Sequence, residues 1–170
     1  MKKLIALCVL LTAATVHGQM KLAHVNSQGL LDSLPSYKKA ESDLKKFQED
    51  GLKDLAMLEK QINDAYVKLD GIKNDLTPTM LKIEQEKIMA LEQRYQQTQS
   101  LLQQQLQTLA NEYNQPILDR LQKAVEIVAD RKKVNYVLDT SKLLYSKAGI
   151  DITPEVKIEL LRLDAEAMKK

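Results

Sequence analysis

Residues 69–81 read Leu69-Asp70-Gly71-Ile72-Lys73-Asn74-Asp75-Leu76-Thr77-Pro78-Thr79-Met80-Leu81, and this stretch decides the fold. Thr77 is a good helix N-cap and Pro78 a good first helical residue, so one helix ends before this pair and another starts on it. Upstream, apolar positions recur at Tyr37, Ala40, Leu44, Phe47, Leu55, Leu58, Ile62, Ala65, Leu69, Ile72 and Leu76, stepping by threes and fours with Gly51 in the series. Downstream they recur at Leu81, Ile88, Leu91, Tyr95, Thr98, Leu102, Leu106, Leu109, Tyr113, Ile117, Leu121, Ala124 and Val128, with polar Glu84 between the first two. These are coiled-coil seams, the first with a stutter at Gly51. Two seams of similar reach joined by a short turn fold back on each other, with the tip near residues 74–80.

If the first helix runs from about Ser36 to Asp75, its length at ~1.5 Å per residue is about 60 Å, far more than a compact domain needs. Gly51 and Gly71 interrupt it without breaking the seam, and each reads either as a soft point or as a place of close helix approach. Pro116 lies inside the return ladder and removes one backbone hydrogen bond, so a kink or restart is expected there.

Working outward, Lys21-Leu22-Ala23-His24-Val25-Asn26 reads as a short strand, followed by a helical turn through Gly29-Leu30-Leu31-Asp32 and a stop at Pro35. Beyond Lys133 the period changes to an alternation over Val134, Tyr136 and Leu138. A second strand-like run, Leu143-Leu144-Tyr145, is expected to pair with it across Thr140-Ser141-Lys142. Thr153-Pro154 starts a last helix, capped by Thr153, with Val156, Leu160, Leu163 and Ala167 on one face. About three short strands cannot cover their own edges, so the body is expected to oligomerise through them.

At the N-terminus Lys2 and Lys3 precede the apolar run Leu4–Leu11 and the small-residue pattern Val16-His17-Gly18, so residues 1–18 read as a cleaved secretory signal. The run is too short for a membrane anchor, and the mature chain is expected to be soluble and exported. Cleavage removes Cys8, the only cysteine, and leaves 23 basic against 23 acidic residues. Residues 36–130 hold 13 basic and 16 acidic side chains, and 131–170 hold 9 and 6, so the arm is mildly acidic and the C-terminal part mildly basic. Neither is basic enough, nor aromatic in the right pattern, for nucleic acid.

Catalysis needs a nucleophile with a base, paired carboxylates in a cleft, or metal ligands. The mature chain keeps one histidine, His24, which reads as a strand residue. Glu84 and Glu86, and Asp50 and Asp54, sit among lysines as solvated ion pairs, and the five glycines form no phosphate loop. No enzyme activity, metal or cofactor is expected.

The segment Gln115-Pro116-Ile117, then Ala124-Val125-Glu126-Ile127-Val128-Ala129, Tyr136-Val137-Leu138-Asp139, Leu143-Leu144-Tyr145 and Ile150-Asp151-Ile152-Thr153 resembles the C-terminal half of the Skp/OmpH family of periplasmic chaperones. Ala23-His24-Val25-Asn26 with Leu30-Leu31 is similar to the family's N-terminal strand. The resemblance implies a homotrimer whose strands form a small barrel, with three helical arms around a cavity that holds unfolded outer-membrane β-barrel proteins without ATP. This arm lacks the excess of basic residues that resemblance suggests, and contact with lipopolysaccharide or membrane is left open.

The expectation is therefore an α+β protein: a signal at 1–18, an oligomerising body from 19–35 and 131–170, and a helical hairpin arm at 36–130. Apolar side chains off the seam are the candidate client-binding residues: Leu52, Met57, Tyr66, Val67, Met80, Ile83, Met89 and Leu101. Methionine adapts to irregular partners. Singly, each could instead broaden the helix contact. The eight glutamines between Gln93 and Gln107 could line a cavity or simply form a solvated helix face. The leading functional reading is a periplasmic holdase, the alternative a structural or adaptor coiled coil of the envelope.

Overall fold

The computed structural model describes residues 21–145 and 148–169. Strand β1 (Leu22–Val25) is followed by a short helix α1 (Ser27–Leu31), the first arm helix α2 (Pro35–Ile72) and a 3-10 turn (Lys73–Asp75). The return helix α3 (Pro78–Lys132) leads to β2 (Tyr136–Asp139), a second 3-10 turn (Thr140–Lys142), β3 (Ile150–Asp151) and the terminal helix α4 (Thr153–Ala167). The reading of residues 1–18 as a signal lies outside the described residues.

The tip forms as its residue types dictate. Thr77 Oγ1 accepts from Met80 N–H at 3.3 Å, and Pro78 occupies the first helical position. Every position of both seams is buried or half-buried, with Leu55, Leu58, Ile88 and Leu102 the most enclosed within the arm. Gly51 serves close approach: a Cβ there would lie 2.3 Å from Leu102 Cδ1. Gly71 has nothing within 4 Å of such an atom, so no packing requires a glycine there.

Helix α3 is 55 residues long and neither stops nor restarts at Pro116, whose ring sits on the exposed side while Ile117 is buried. A carbonyl freed on that side can be hydrated, which is why the helix tolerates the proline. At the far end Lys133 takes the left-handed conformation (φ 54), its N–H bonding Asp130 O and the Val134 N–H bonding Ala129 O, both at 3.1 Å. This double bond closes the helix and turns the chain toward β1.

The sheet has the order β2-β1-β3 with both pairings parallel: Leu22 opposite Tyr136 through Val25 opposite Asp139, and His24 opposite Asp151. The expected pairing across Thr140-Ser141-Lys142 does not occur. Asp139 accepts from Ser141 N–H at 3.0 Å and the chain winds into a 3-10 turn, so Leu143-Leu144-Tyr145 is not a strand and Ile150-Asp151 takes the third place. Parallel strands need long crossovers, here the whole arm between β1 and β2.

Ala23 and Val25 point from β1 into a core completed by Leu30, Leu34, Ala40, Ile117, Leu121, Ala124, Val128, Ile152, Val156 and Leu160. The first turns of α2 and the last four of α3 thus belong to the same core as the sheet, and the arm grows out of the body without a linker. In α4, Val156 and Leu160 are buried and Leu163 is half-buried, whereas Ala167 is exposed. Thr153 does not cap this helix: the N-cap position is Ile152, which makes no side-chain capping bond, while Thr153 Oγ1 accepts from Asn26 N–H at 3.1 Å and Asp151 accepts from Thr153 N–H at 2.9 Å.

Candidate functional site

Closing the seam consumes one stripe of each arm helix and leaves the others in solvent. All eight off-seam residues are exposed, from Ile83 at 46% to Val67 at 66%. Leu52, Met57, Tyr66 and Val67 lie along α2, and Met80, Ile83, Met89 and Leu101 along α3. They are not brought into one pocket. They are spread over the outer surface of the arm, with Met80 and Ile83 next to the tip.

Tyr66 differs from the rest because its hydroxyl donates to Glu92 Oε1 at 2.8 Å across the hairpin, which raises the phenol pKa above its ordinary value. It clamps the two helices as well as presenting a ring. The charges around these residues are largely self-paired: Lys53 with Asp50 at 3.0 Å, Lys73 with Asp70 at 2.6 Å, and Lys87 with Glu84 at 2.6 Å. The hydrogen bonds in these pairs raise the Lys53 pKa and lower those of Asp70 and Glu84, as expected of a charged pair three residues apart on a helix. Such exposed pairs add little stability. The glutamines from Gln93 to Gln107 are all exposed, forming a solvated face.

The body exposes apolar surface too, which the off-seam reading missed. Leu22, Tyr136 and Leu138 are exposed on the side of the sheet opposite Ala23 and Val25, and Leu144 and Tyr145 project from the segment after the 3-10 turn. The alternation along β1 and β2 carried the signal, since each strand has apolar residues on both faces while helices cover only one. Among the described residues no group of three or more His, Cys, Asp and Glu could hold a metal ion, and no helix is long and apolar enough to cross a membrane. What the surface presents is a spread of exposed apolar groups on a long hairpin whose seam is closed.

Three comparisons with known proteins agree with this architecture. The family model described as "Outer membrane protein (OmpH-like)" matches residues 21–160. A protein of Aquifex aeolicus (strain VF5), described as uncharacterized, is 29% identical over 165 residues, which is 94% of this chain and 96% of its own. The crystal structure of a candidate OmpH-like outer membrane chaperone from Caulobacter crescentus CB15 superposes with a TM-score of 0.73 at 17% identity, over 84% of each chain. At that identity the likeness is one of fold. With the family model running from β1 through both arm helices and all three strands into α4, the chain belongs to the OmpH-like outer membrane protein family.

Proposed function

We propose that this protein is a periplasmic holdase chaperone that keeps unfolded outer-membrane β-barrel proteins from aggregating, without ATP and without chemistry of its own. The observation that carries this reading is the exposure of eight apolar side chains along an arm whose seam is already closed, since none of them belongs to that seam. Membership of the family supports it, as does the description of the Caulobacter protein as a candidate chaperone. A micromolar complex needs about 8 kcal/mol, and a partly buried Met or Leu supplies roughly 1 kcal/mol, so several contacts spread over a few arms suffice. Many weak contacts at high effective concentration hold a client without fixing its conformation.

The proposal includes a trimer joined through the strands, with the arms enclosing the client. Its support is the sheet itself: among the described residues β2 and β3 each have only β1 as a neighbour, and Leu22, Tyr136 and Leu138 form an apolar face that no described helix covers. A second copy would cover both edge and face.

One observation favours the adaptor reading instead. Gly51 is filled by Leu102, so the two helices are closely packed at that level, as a spacer between folded partners would require. Dilution of a urea-unfolded outer-membrane β-barrel protein into buffer, without nucleotide, separates the two by light scattering. Suppressed aggregation near three chains per client is the expected result, and undiminished scattering overturns the holdase in favour of the adaptor.

A further inference from the structure

Near the middle of the arm the two helices leave a pair of hollows on one flank, about 350 and 280 Å³ in volume. Both are bordered by Phe47, Leu101 and Gln105. Their origin is local. Gly51 contributes no side chain, Leu102 turns into that place and closes the seam, and the neighbouring Leu101 is left 52% exposed. Phe47, the chain's one phenylalanine, is half-buried beside it. An aromatic ring and a leucine thus stand open in hollows at, and just below, the small end of the range for ligand pockets.

The charged side chains that line these hollows are of one sign. Asp50 and Asp54 border the one toward the tip, Glu112 borders the one toward the root, and neither is lined by a lysine or arginine. Asp50 is engaged by Lys53 at 3.0 Å, but Asp54 and Glu112 have no ion-pair partner among the described residues. Gln104 and Gln105 lie between them, with amides able to donate to or accept from any extended backbone.

We propose that this flank is a client-reading site, which seats an aromatic or branched aliphatic side chain of an unfolded segment against Phe47 and Leu101 and prefers segments carrying lysine or arginine beside it. The inference rests on the holdase reading and adds to it a preference for one class of sequence. An unfolded stretch rich in acids meets two uncompensated carboxylates and is disfavoured, whereas a basic one gains a partner for each.

The test uses fluorescence anisotropy with two labelled unfolded peptides of identical apolar residues, one with lysine and the other with glutamate at the charged positions. The lysine peptide is expected to bind about fivefold tighter, with the margin shrinking as salt rises. In Asp54→Asn/Glu112→Gln the margin falls to within about twofold, and Leu101→Gln weakens both peptides. Equal binding of the two peptides by a protein that still suppresses aggregation overturns this site and leaves the holdase standing. A margin that survives the double substitution, or binding indifferent to Leu101→Gln, also overturns it. Absence of both peptide binding and aggregation suppression overturns site and holdase together.

Discussion

Asp164, on the terminal helix, caps the first arm helix from a position 128 residues away in sequence: the Ser36 backbone N–H donates to its Oδ2 at 3.3 Å. The N-cap position of α2 is Leu34, whose side chain makes no capping hydrogen bond. Ser36 Oγ donates to the other carboxylate oxygen, and an Arg120 guanidinium nitrogen from α3 lies 3.1 Å from the same atom. One buried carboxylate therefore ties the roots of both arm helices to α4.

Removing that carboxylate leaves Arg120, whose Nε is already buried without a partner, uncompensated against the core. Asp164→Ala is expected to cost about 3 kcal/mol in urea-induced unfolding. Replacing both partners with apolar residues, Asp164→Leu with Arg120→Met, is expected to cost clearly less than Asp164→Ala alone, because no buried charge is stranded. Equal losses in the two variants contradict the lock.

The two arm glycines should answer oppositely to alanine. At position 51 the new Cβ meets Leu102 at 2.3 Å in a closed seam, and overpacking of about 1–3 kcal/mol outweighs the roughly 1 kcal/mol gained in helix propensity. At position 71 nothing opposes that gain, so Gly71→Ala is expected to raise the stability of the hairpin by up to about 1 kcal/mol. Thermal unfolding of the two single variants reads the difference in sign.

Acid should loosen the body through two aspartates. Burial alone would raise the Asp139 pKa, but hydrogen bonds from Ser27 and Ser141 outweigh it and hold the carboxyl below its ordinary 3.8. At Asp151 the Thr153 side chain and backbone N–H lower the value, helped slightly by His24. A depressed folded-state pKa contributes stability that is present above the ordinary value and lost as pH falls through the folded one. The melting temperature should therefore drop as pH falls below 3.8, and the drop should be shallower in Asp139→Asn/Asp151→Asn. A profile identical to that of the unsubstituted protein contradicts this assignment.

The arm was legible because its signals are local. A run of threes and fours names the seam, and Thr77-Pro78 names the turn. The body was less so because its pairings are long-range. Leu143-Leu144-Tyr145 has strand composition, yet β2 pairs with β1 from before the arm and Asp139 captures Ser141 instead of letting a hairpin form. Thr153 has the chemistry of a cap, but Asp151 reaches its backbone first and its hydroxyl is drawn to Asn26. Asp164 continues the face of Val156 and Leu160, where an acid reads as an outward residue until Ser36 and Arg120 are brought to it. For the candidate site, lying off the seam foretold exposure at all eight positions, while the Tyr66 to Glu92 bond and the Phe47 flank needed the register between the helices.

The central claim is that exposed apolar arm residues hold the client, and the most direct measurement compares the affinity of the protein and of its Met57→Ser/Met80→Ser/Met89→Ser variant for one unfolded outer-membrane β-barrel protein. All three methionines are more than half exposed, so the fold and the oligomeric mass, checked by circular dichroism and light scattering, should be unchanged. At about 0.5–1 kcal/mol per side chain the account predicts a loss of roughly tenfold or more in affinity. A variant of unchanged mass that binds the client as tightly as the unsubstituted protein contradicts it.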